Sequence, residues 1–223
     1  MDKTLFRNRI FSLRKKYHIH HPFHTSLNSG KINKQGIQLW VANRYYYQKT
    51  IPRKDAAIIM NCGSSTVRAE WVNRIIDHDQ NGGIDAWKSL GSAVGLSVET
   101  LENEELLLPG VKFAVDSYFN FCKEAKYQDS MTSSLTELFA PEIHNVRLES
   151  WPLYYPWIDQ SGYEYFRKRL SEAKRDVSFT LEHTLNYYQT HDEQNHAIKI
   201  IEFKLDVLWS MLDAIQNKYY KEN

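Results

Sequence analysis

Apolar residues recur every three or four positions along most of the chain, which is the spacing of one helix face. No stretch alternates apolar and polar residues between hairpin turns, as a half-buried strand would. The pattern predicts helices at residues 4–16, 22–28, 33–51, 54–60, 65–77, 84–94, 98–105, 109–126, 133–150, 161–188 and 193–220. We therefore expect an all-α fold, a compact helical bundle.

Proline, glycine and short polar residues mark where several of these helices begin and end. Pro22 suits the first turn of a helix, and Ser64 or Ser65 suits a helix N-cap. Pro52 predicts a break or restart after the helix at 33–51, because proline cannot donate the helical hydrogen bond. Residues 79–83 carry the strongest loop signal in the chain.

One predicted helix has an unusual inner face. At 3.6 residues per turn, Trp40, Arg44, Tyr47, Gln48 and Ile51 fall on one side of it, so a cation, a phenol and an amide share a stripe that should be apolar. A buried arginine is costly unless something pairs with it, and no carboxylate lies one turn away. Its partner is either a carboxylate elsewhere in the fold or a bound anion.

The same anomaly recurs on other predicted helices. Polar or charged groups interrupt their apolar faces at Arg74, His78, His144, Arg147, Tyr165, Arg169 and Lys204. Each case alone is ordinary, since a long side chain can extend its charge to the surface and a buried histidine can bond a carbonyl. Together they favour an internal pocket for an anionic ligand, formed by side chains on facing helices.

A cluster of histidines near the N-terminus raises the alternative of a metal site, because neutral imidazole is a common metal ligand. The cluster consists of His18, His20, His21 and His24. A di-iron bundle would need Glu-x-x-His on two helices together with further carboxylates, and the chain offers this motif at residues 193–196, in a polar stretch. The spacing does not favour a metal centre.

Composition narrows the class of protein. The 223 residues suffice for one all-α domain, 1–223, and are few for two. With 28 Lys and Arg against 27 Asp and Glu, the net charge of +1 does not favour a nucleic-acid partner. Two cysteines without a CxxC pair favour a reduced, cytoplasmic setting, and we find no signal peptide, membrane span, nucleotide-binding loop or nucleophile elbow.

Long strings of the sequence resemble the pyrroloquinoline-quinone synthase family, whose members have the heme-oxygenase-like, TENA-like fold. The strings include Tyr17-His-Ile-His-His-Pro-Phe, Trp40-Val-Ala-Asn-Arg, Arg74-Ile-Ile-Asp-His-Asp, Ser133-Ser-Leu-Thr-Glu-Leu-Phe-Ala-Pro and Phe203-Lys-Leu-Asp-Val-Leu-Trp-Ser-Met-Leu-Asp-Ala. They are spread over nearly the whole chain, and strings of this length are highly specific.

The resemblance implies a heme-oxygenase-like bundle that acts as a homodimer and binds no heme. Members of this family perform the last step of pyrroloquinoline quinone (PQQ) biosynthesis. This step is the ring closure and eight-electron oxidation of a tricarboxylated precursor, AHQQ, by O2 with release of peroxide. The family uses neither a metal nor an organic cofactor. Its small, anionic, quinol-like substrate fits the pocket predicted above, and neither nucleic acid nor membrane takes part.

The resemblance also assigns site residues at the matching positions. Those implied for catalysis are His78, His144, Tyr165, Arg169 and His18. Those implied for substrate binding are Tyr17, Arg44, Tyr47, Gln48, Lys54, Arg74, Tyr118, Arg147 and Lys204. Lys54 and Tyr118 rest on the resemblance alone, whereas most of the others also lie on the helix faces described above.

The chemistry of these groups suggests roles as hypotheses. The substrate carboxylates would be held by Arg44, Arg74, Arg147, Lys54 and Lys204. His78 would be the general base, because imidazole titrates near the working pH, and His18 would join the same proton transfers. Fixed donors from His144, Tyr165 and Arg169 would surround O2 and stabilise the negative charge of its reduced forms.

Two features depart from the family pattern. Residues 79–83 form a short loop where members usually carry a longer one, and Lys168 stands where a small hydroxyl residue is common. Lys168 would either alter the oxygen site or face solvent. Two other functions stay open: a metal-dependent oxidase of the same bundle, and a PQQ carrier that has lost turnover.

Overall fold

The computed structural model describes residues 2–222, apart from the side chains of 171–176 and 222. Within that part the chain forms helices and no β-strand. The helices are α1 (Lys3–Ser12), α2 (Pro22–Asn28), α3 (Lys34–Met60), α4 (Ser65–Asp79), α5 (Gly83–Ala93), α6 (Val98–Glu102), α7 (Pro109–Glu124), α8 (Tyr127–Ser133), α9 (Ala140–Tyr154), α10 (Glu164–Tyr187) and α11 (His191–Glu222). The all-α prediction is confirmed.

Helix α3 runs through the bundle and packs against α4, α5, α7 and α11, while α10 packs against α5, α8 and α9. An aromatic cluster joins several of these helices. The ring centroid of Trp40 lies 5.5 Å from Trp87 and 5.7 Å from Trp151, and Trp151 lies 5.6 Å from Phe166. Because these rings are rigid and fully packed, they fix the helix faces that carry the polar groups.

The predicted break at Pro52 is wrong, because α3 continues through it from Lys34 to Met60. Pro52 is buried inside this helix. Proline removes one backbone hydrogen bond, but both halves of α3 bury apolar residues against neighbouring helices, and this packing outweighs the local cost.

The prediction for residues 126–150 is also wrong in part. The chain forms α8 at Tyr127–Ser133, where no helix was predicted, and then a 3₁₀ turn at Ser134–Phe139. Buried hydroxyls account for this interruption, since Ser133 Oγ donates to the carbonyl of Ser130 at 2.6 Å instead of leaving it to a helical N–H. The long helix therefore begins at Ala140, with Pro141 in its first turn.

The predicted helix starts at Pro22 and Ser64 are confirmed. Pro22 begins α2, and Ser64 caps α4 by accepting a hydrogen bond from the backbone N–H of Val67 at 3.4 Å. The connection between α4 and α5 is short, and Gly82 adopts φ 81° within it, a left-handed conformation that glycine takes without strain. None of the described helices combines the length and apolar character needed to cross a bilayer.

Candidate active site

Most of the residues predicted for the site line one cavity in the bundle. It lies between α3, α4, α9, α10 and α11, next to the 3₁₀ turns at His18–His20 and Ser134–Phe139. The predicted residues that line it are Tyr17, His18, Arg44, Tyr47, Gln48, Arg74, His78, His144, Arg147, Tyr165 and Arg169. The helix faces identified from the sequence therefore converge on one space.

Of the remaining predicted residues, Lys204 and Tyr118 lie behind Tyr47, and Lys54 lies beside Asp55. The Lys204 ammonium is 3.5 Å from the centroid of the Tyr118 ring and 4.2 Å from that of Tyr47. The Tyr118 hydroxyl shares a 2.9 Å hydrogen bond with Ser133, and Lys54 pairs with the carboxylate of Asp55. These side chains border the cavity residues without lining the cavity themselves.

Glu137, which the sequence analysis missed, is the main counter-ion on one side of the cavity. Its carboxylate accepts from Arg74 at 2.7 Å and 3.3 Å and from Arg169 at 3.3 Å. Burial opposes the charge, but the two guanidinium groups overcome it and hold the pKa of Glu137 well below its usual range. Glu137 lies in the 3₁₀ turn, where a helical period of 3.6 does not place it on the inner face.

Asp55 is the second missed carboxylate. It is 0% exposed, pairs with Lys54, and has one oxygen 3.6 Å from Nε of Arg74. Carboxylates of the protein therefore already neutralise Arg74, Arg169 and Lys54. The sequence left two possible partners for an inward-facing cation, a carboxylate of the protein or a bound anion. These three cations have a carboxylate of the protein.

Arg44, Arg147 and Lys204 are different, because no carboxylate among the described side chains pairs with them. The guanidinium of Arg44 lies 4.1 Å from the centroid of the Tyr47 ring, and that of Arg147 lies 4.6 Å from Trp40. Burial, helped by Arg44, lowers the pKa of Arg147 to about 9, and burial lowers the pKa of Lys204 well below its ordinary value. These cations form a positive region that an anion would neutralise.

His78 is held in one tautomer. Its Nε2 donates to the backbone carbonyl of Gln48 at 2.9 Å, so the neutral ring keeps its lone pair on Nδ1. Burial, followed by the charge of Arg169, lowers the pKa of His78 to about 4. The expectation that His78 titrates near the working pH therefore does not hold for the protein alone, and a bound anion would raise this pKa.

A hydrogen-bonded chain also fixes the tautomer of His18. Arg147 Nη2 donates to His24 Nε2 at 3.2 Å, so neutral His24 carries its proton on Nδ1 and donates it to the His18 carbonyl at 2.9 Å. His18 Nδ1 lies 3.2 Å from the same protonated nitrogen and must accept. Its proton is then on Nε2, which is buried without a hydrogen-bond partner. His18 thus presents a donor, rather than a base, at the cavity wall.

The other side of the cavity combines an amide, a phenol and an imidazole. The Tyr165 hydroxyl donates to Gln48 Oε1 at 3.1 Å, which leaves Gln48 Nε2 buried without a partner. The His144 ring stacks on Phe166 with centroids 5.7 Å apart, and burial, helped by Arg147, lowers its pKa well below the ordinary value. Burial raises the pKa of Tyr17 to about 12, so the phenol is protonated.

The four clustered histidines point in different directions. His18 and His24 bond to each other, His21 Nε2 lies 3.1 Å from Asp213, and His20 is exposed. Within the described part of the chain, no three His, Cys, Asp or Glu side chains are placed to hold a metal ion together. Two of the four histidines, His18 and His24, therefore meet in the fold, and the other two lie apart from them.

Comparison with known proteins places this geometry in a family. The model of the TENA/THI-4/PQQC family matches residues 10–214. The chain belongs to this family. Among curated members, it is 53% identical to the pyrroloquinoline-quinone synthase of Pseudomonas aeruginosa over 226 residues, covering 100% of this chain and 90% of that one. It is 56% identical over 207 residues to the synthase of Pseudomonas entomophila, covering 91% and 82%.

Solved structures of similar fold superpose on nearly the whole chain. A TenA homologue from Pseudomonas syringae has a TM-score of 0.80 at 10% identity, with 96% of this chain and 92% of that one covered. A domain from Shewanella denitrificans, described as having a heme-oxygenase-like fold, has a TM-score of 0.79 at 12% identity, covering 99% and 94%. At such low identity these matches establish the fold, which is the one the sequence predicted.

The two features that depart from the family pattern, Lys168 and the loop at residues 79–83, are in contact. Lys168 Nζ donates to the backbone carbonyl of Asn81 at 3.1 Å, and so ties α10 to the short loop between α4 and α5. That loop leads into Gly83, whose Cα would place a Cβ 3.2 Å from Nδ1 of His78. Partly buried Lys168 therefore contacts the loop that runs beside His78, and its effect on oxygen chemistry stays a prediction.

Proposed function

We propose that the chain catalyses the last step of PQQ biosynthesis, the O2-dependent ring closure and eight-electron oxidation of AHQQ. Its similarity to pyrroloquinoline-quinone synthases, with over half of the aligned residues identical, supports this assignment. The observation that carries it is a group of cations in and beside the cavity, buried Arg147 and Lys204 with partly buried Arg44, that no carboxylate among the described side chains pairs with. A tricarboxylated substrate supplies the missing negative charge.

Binding by this group also orients the substrate. Arg44 and Arg147 each offer a planar fork to a carboxylate, whereas Lys204 offers a point charge from behind Tyr47. The unpaired donors at Gln48 Nε2 and His18 Nε2 would bond the remaining substrate oxygens. Such fixed contacts hold the substrate amine against the ring carbon that it attacks.

The proposed base is Nδ1 of His78, which is unprotonated at neutral pH. Once substrate carboxylates enter, their charge raises the pKa of His78 toward the working pH and makes it a better proton acceptor. His144, Tyr165 and Arg169 surround the proposed O2 position, where donors stabilise the negative charge of the reduced forms of oxygen. The electrons come from the quinol-like substrate itself.

We therefore propose that O2 is a co-substrate and that turnover needs no metal and no organic cofactor. We further propose a homodimer located in the cytoplasm. The direct experiment is to incubate chelator-treated protein with AHQQ in air and to follow PQQ by mass spectrometry together with released peroxide. Formation of both supports the proposal, turnover that requires added iron contradicts its cofactor-free part, and tight binding of PQQ without conversion identifies a carrier.

The tautomer of His18 gives a prediction about affinity. Replacing His24 with Phe removes the proton that fixes His18, so we expect the dissociation constant for PQQ to rise about tenfold, as for one lost hydrogen bond to a charged group. His24→Asn keeps a donor near the Nδ1 position and should bind nearly as tightly as the wild type. The exposed His20→Asn serves as a control. Equal affinities for the Phe and Asn variants, measured by calorimetry, would contradict the donor role.

A further inference from the structure

Pro52 leaves one carbonyl of α3 without its helical donor. In an α-helix the N–H of residue 52 would bond the carbonyl of residue 48, but proline has no N–H to give. Pro52 lies in the interior of α3, a full turn after Gln48, and both residues are buried. The carbonyl of Gln48 therefore lacks its usual helical donor, and a proline ring at this spacing crowds the carbonyl and favours its turning outward from the helix.

His78 bonds this same carbonyl. Its Nε2 reaches across from α4 to the oxygen of Gln48 at 2.9 Å in a buried position. A carbonyl can only accept, so this contact requires the proton on Nε2 and leaves Nδ1 as the acceptor of the ring. No described side chain bonds Nδ1, and the ring lines the cavity. The backbone thus selects the tautomer in which Nδ1 is the unprotonated nitrogen.

Gln48 connects the same turn of α3 to the other side of the cavity. Its amide oxygen accepts from the Tyr165 hydroxyl at 3.1 Å, and its amide nitrogen is unpaired. The backbone and the side chain of one residue therefore position two groups of the site. A change in the direction of the Gln48 carbonyl would shift His78 directly. It would shift Tyr165 through the side-chain amide of Gln48.

We infer that Pro52 is a positioning residue for His78: by withholding an N–H, it frees the Gln48 carbonyl to hold the imidazole with Nδ1 unprotonated. The general-base role of His78 rests on the proposed function, whereas the hydrogen bond and the tautomer do not. A proline that served the bundle alone would stabilise it. In the middle of a helix, proline instead lowers the stability of the fold. Pro52 therefore destabilises the helix while it positions His78 in the site.

The test is Pro52→Ala, examined with histidine labelled in both ring nitrogens. Two-bond proton–nitrogen spectra should show the wild-type His78 as a single Nε2–H tautomer. In the variant the restored N–H of residue 52 competes for the carbonyl, and we expect a mixture of tautomers with kcat lowered about tenfold. The thermal midpoint should stay the same or rise, because alanine restores a helical bond.

Pro152→Ala is the matched control, because Pro152 also lies inside a helix, α9, but does not line the cavity. It should leave the His78 spectrum and kcat unchanged. An Nδ1–H tautomer in the wild type would overturn the inference, as would Pro52→Ala with an unchanged spectrum or with stability and kcat falling together. If the protein fails to convert AHQQ at all, the proposed function fails, while the tautomers still decide the role of Pro52.

Discussion

Replacing Lys204 with methionine should make the protein more stable and less active. The Lys204 ammonium is 1% exposed, has no hydrogen-bond partner, and faces two tyrosine rings. An apolar side chain of similar length removes the cost of burying this group, and we expect the free energy of unfolding to rise by about 1–4 kcal/mol. Turnover of AHQQ should fall about tenfold to a hundredfold, because the substrate carboxylates lose the positive charge behind Tyr47.

The pH dependence identifies the origin of this stabilisation. The pKa of folded Lys204 is lowered well below its ordinary value by burial, with Arg44 adding to the shift. Between the folded pKa and the unfolded value of about 10.4, the unfolded chain holds a proton that the folded chain has released, so wild-type stability rises with pH. Lys204→Met lacks this slope, and its advantage should be largest at low pH and shrink toward pH 10.4.

Urea unfolding at several pH values measures both effects. The control is Lys199→Met on the same helix, where the lysine is exposed and the substitution should change neither stability nor turnover appreciably. A Lys204→Met variant with wild-type turnover would remove Lys204 from the substrate site. A variant that is less stable than the wild type at every pH would mean that the ammonium stabilises the fold.

Replacing Glu137 with glutamine should have the opposite effect on stability. The change leaves Arg74 and Arg169 facing each other without the carboxylate that bonds both at 2.7–3.3 Å. Removing one member of a buried charge network costs about 3–5 kcal/mol, and we expect about 3 kcal/mol here because Asp55 still lies beside Arg74. The variant should therefore unfold at a clearly lower urea concentration.

The acid side of the stability profile should also change. The pKa of folded Glu137 is held well below its unfolded value of about 4.3, so its contribution is present above that pH and is lost as the pH falls below it. Wild type and Glu137→Gln should therefore become more alike in strong acid. Glu142→Gln, which breaks an exposed ion pair with Arg14, is the control and should change stability little. Equal losses in the two variants would contradict the counter-ion role of Glu137.

Charged groups of two kinds stand in and beside the cavity, those with a protein counter-ion and those without one among the described side chains. Arg74 and Arg169 are neutralised by the protein, so they preserve the shape of the site whether or not a ligand is present. Lys204 and Arg147 have no described carboxylate partner, so their burial costs free energy that an anionic ligand would offset. This difference in charge balance, rather than the number of cations, is the basis for the proposed specificity.

Much of the helical fold was predictable, because helical periodicity and capping are local properties of the chain. The faces carrying Arg44, Arg74, His144 and Arg147 were identified from residues three or four positions apart, and all line the cavity. The errors lie where tertiary contacts override local preference. Packing on both sides keeps α3 continuous through Pro52, and buried hydroxyls replace a helical turn between Ser134 and Phe139.

The sequence by itself determined that polar groups stand on apolar helix faces, and hence that a polar cavity exists. Only the tertiary structure decided which cations have protein partners, because Glu137 bonds Arg74 across 63 positions of the chain. It also decided the proton positions, since the bond from Arg147 to His24 and that from His78 to Gln48 join different parts of the fold. Spacing along one helix reports its faces, whereas charge balance and tautomers depend on what lies across from them.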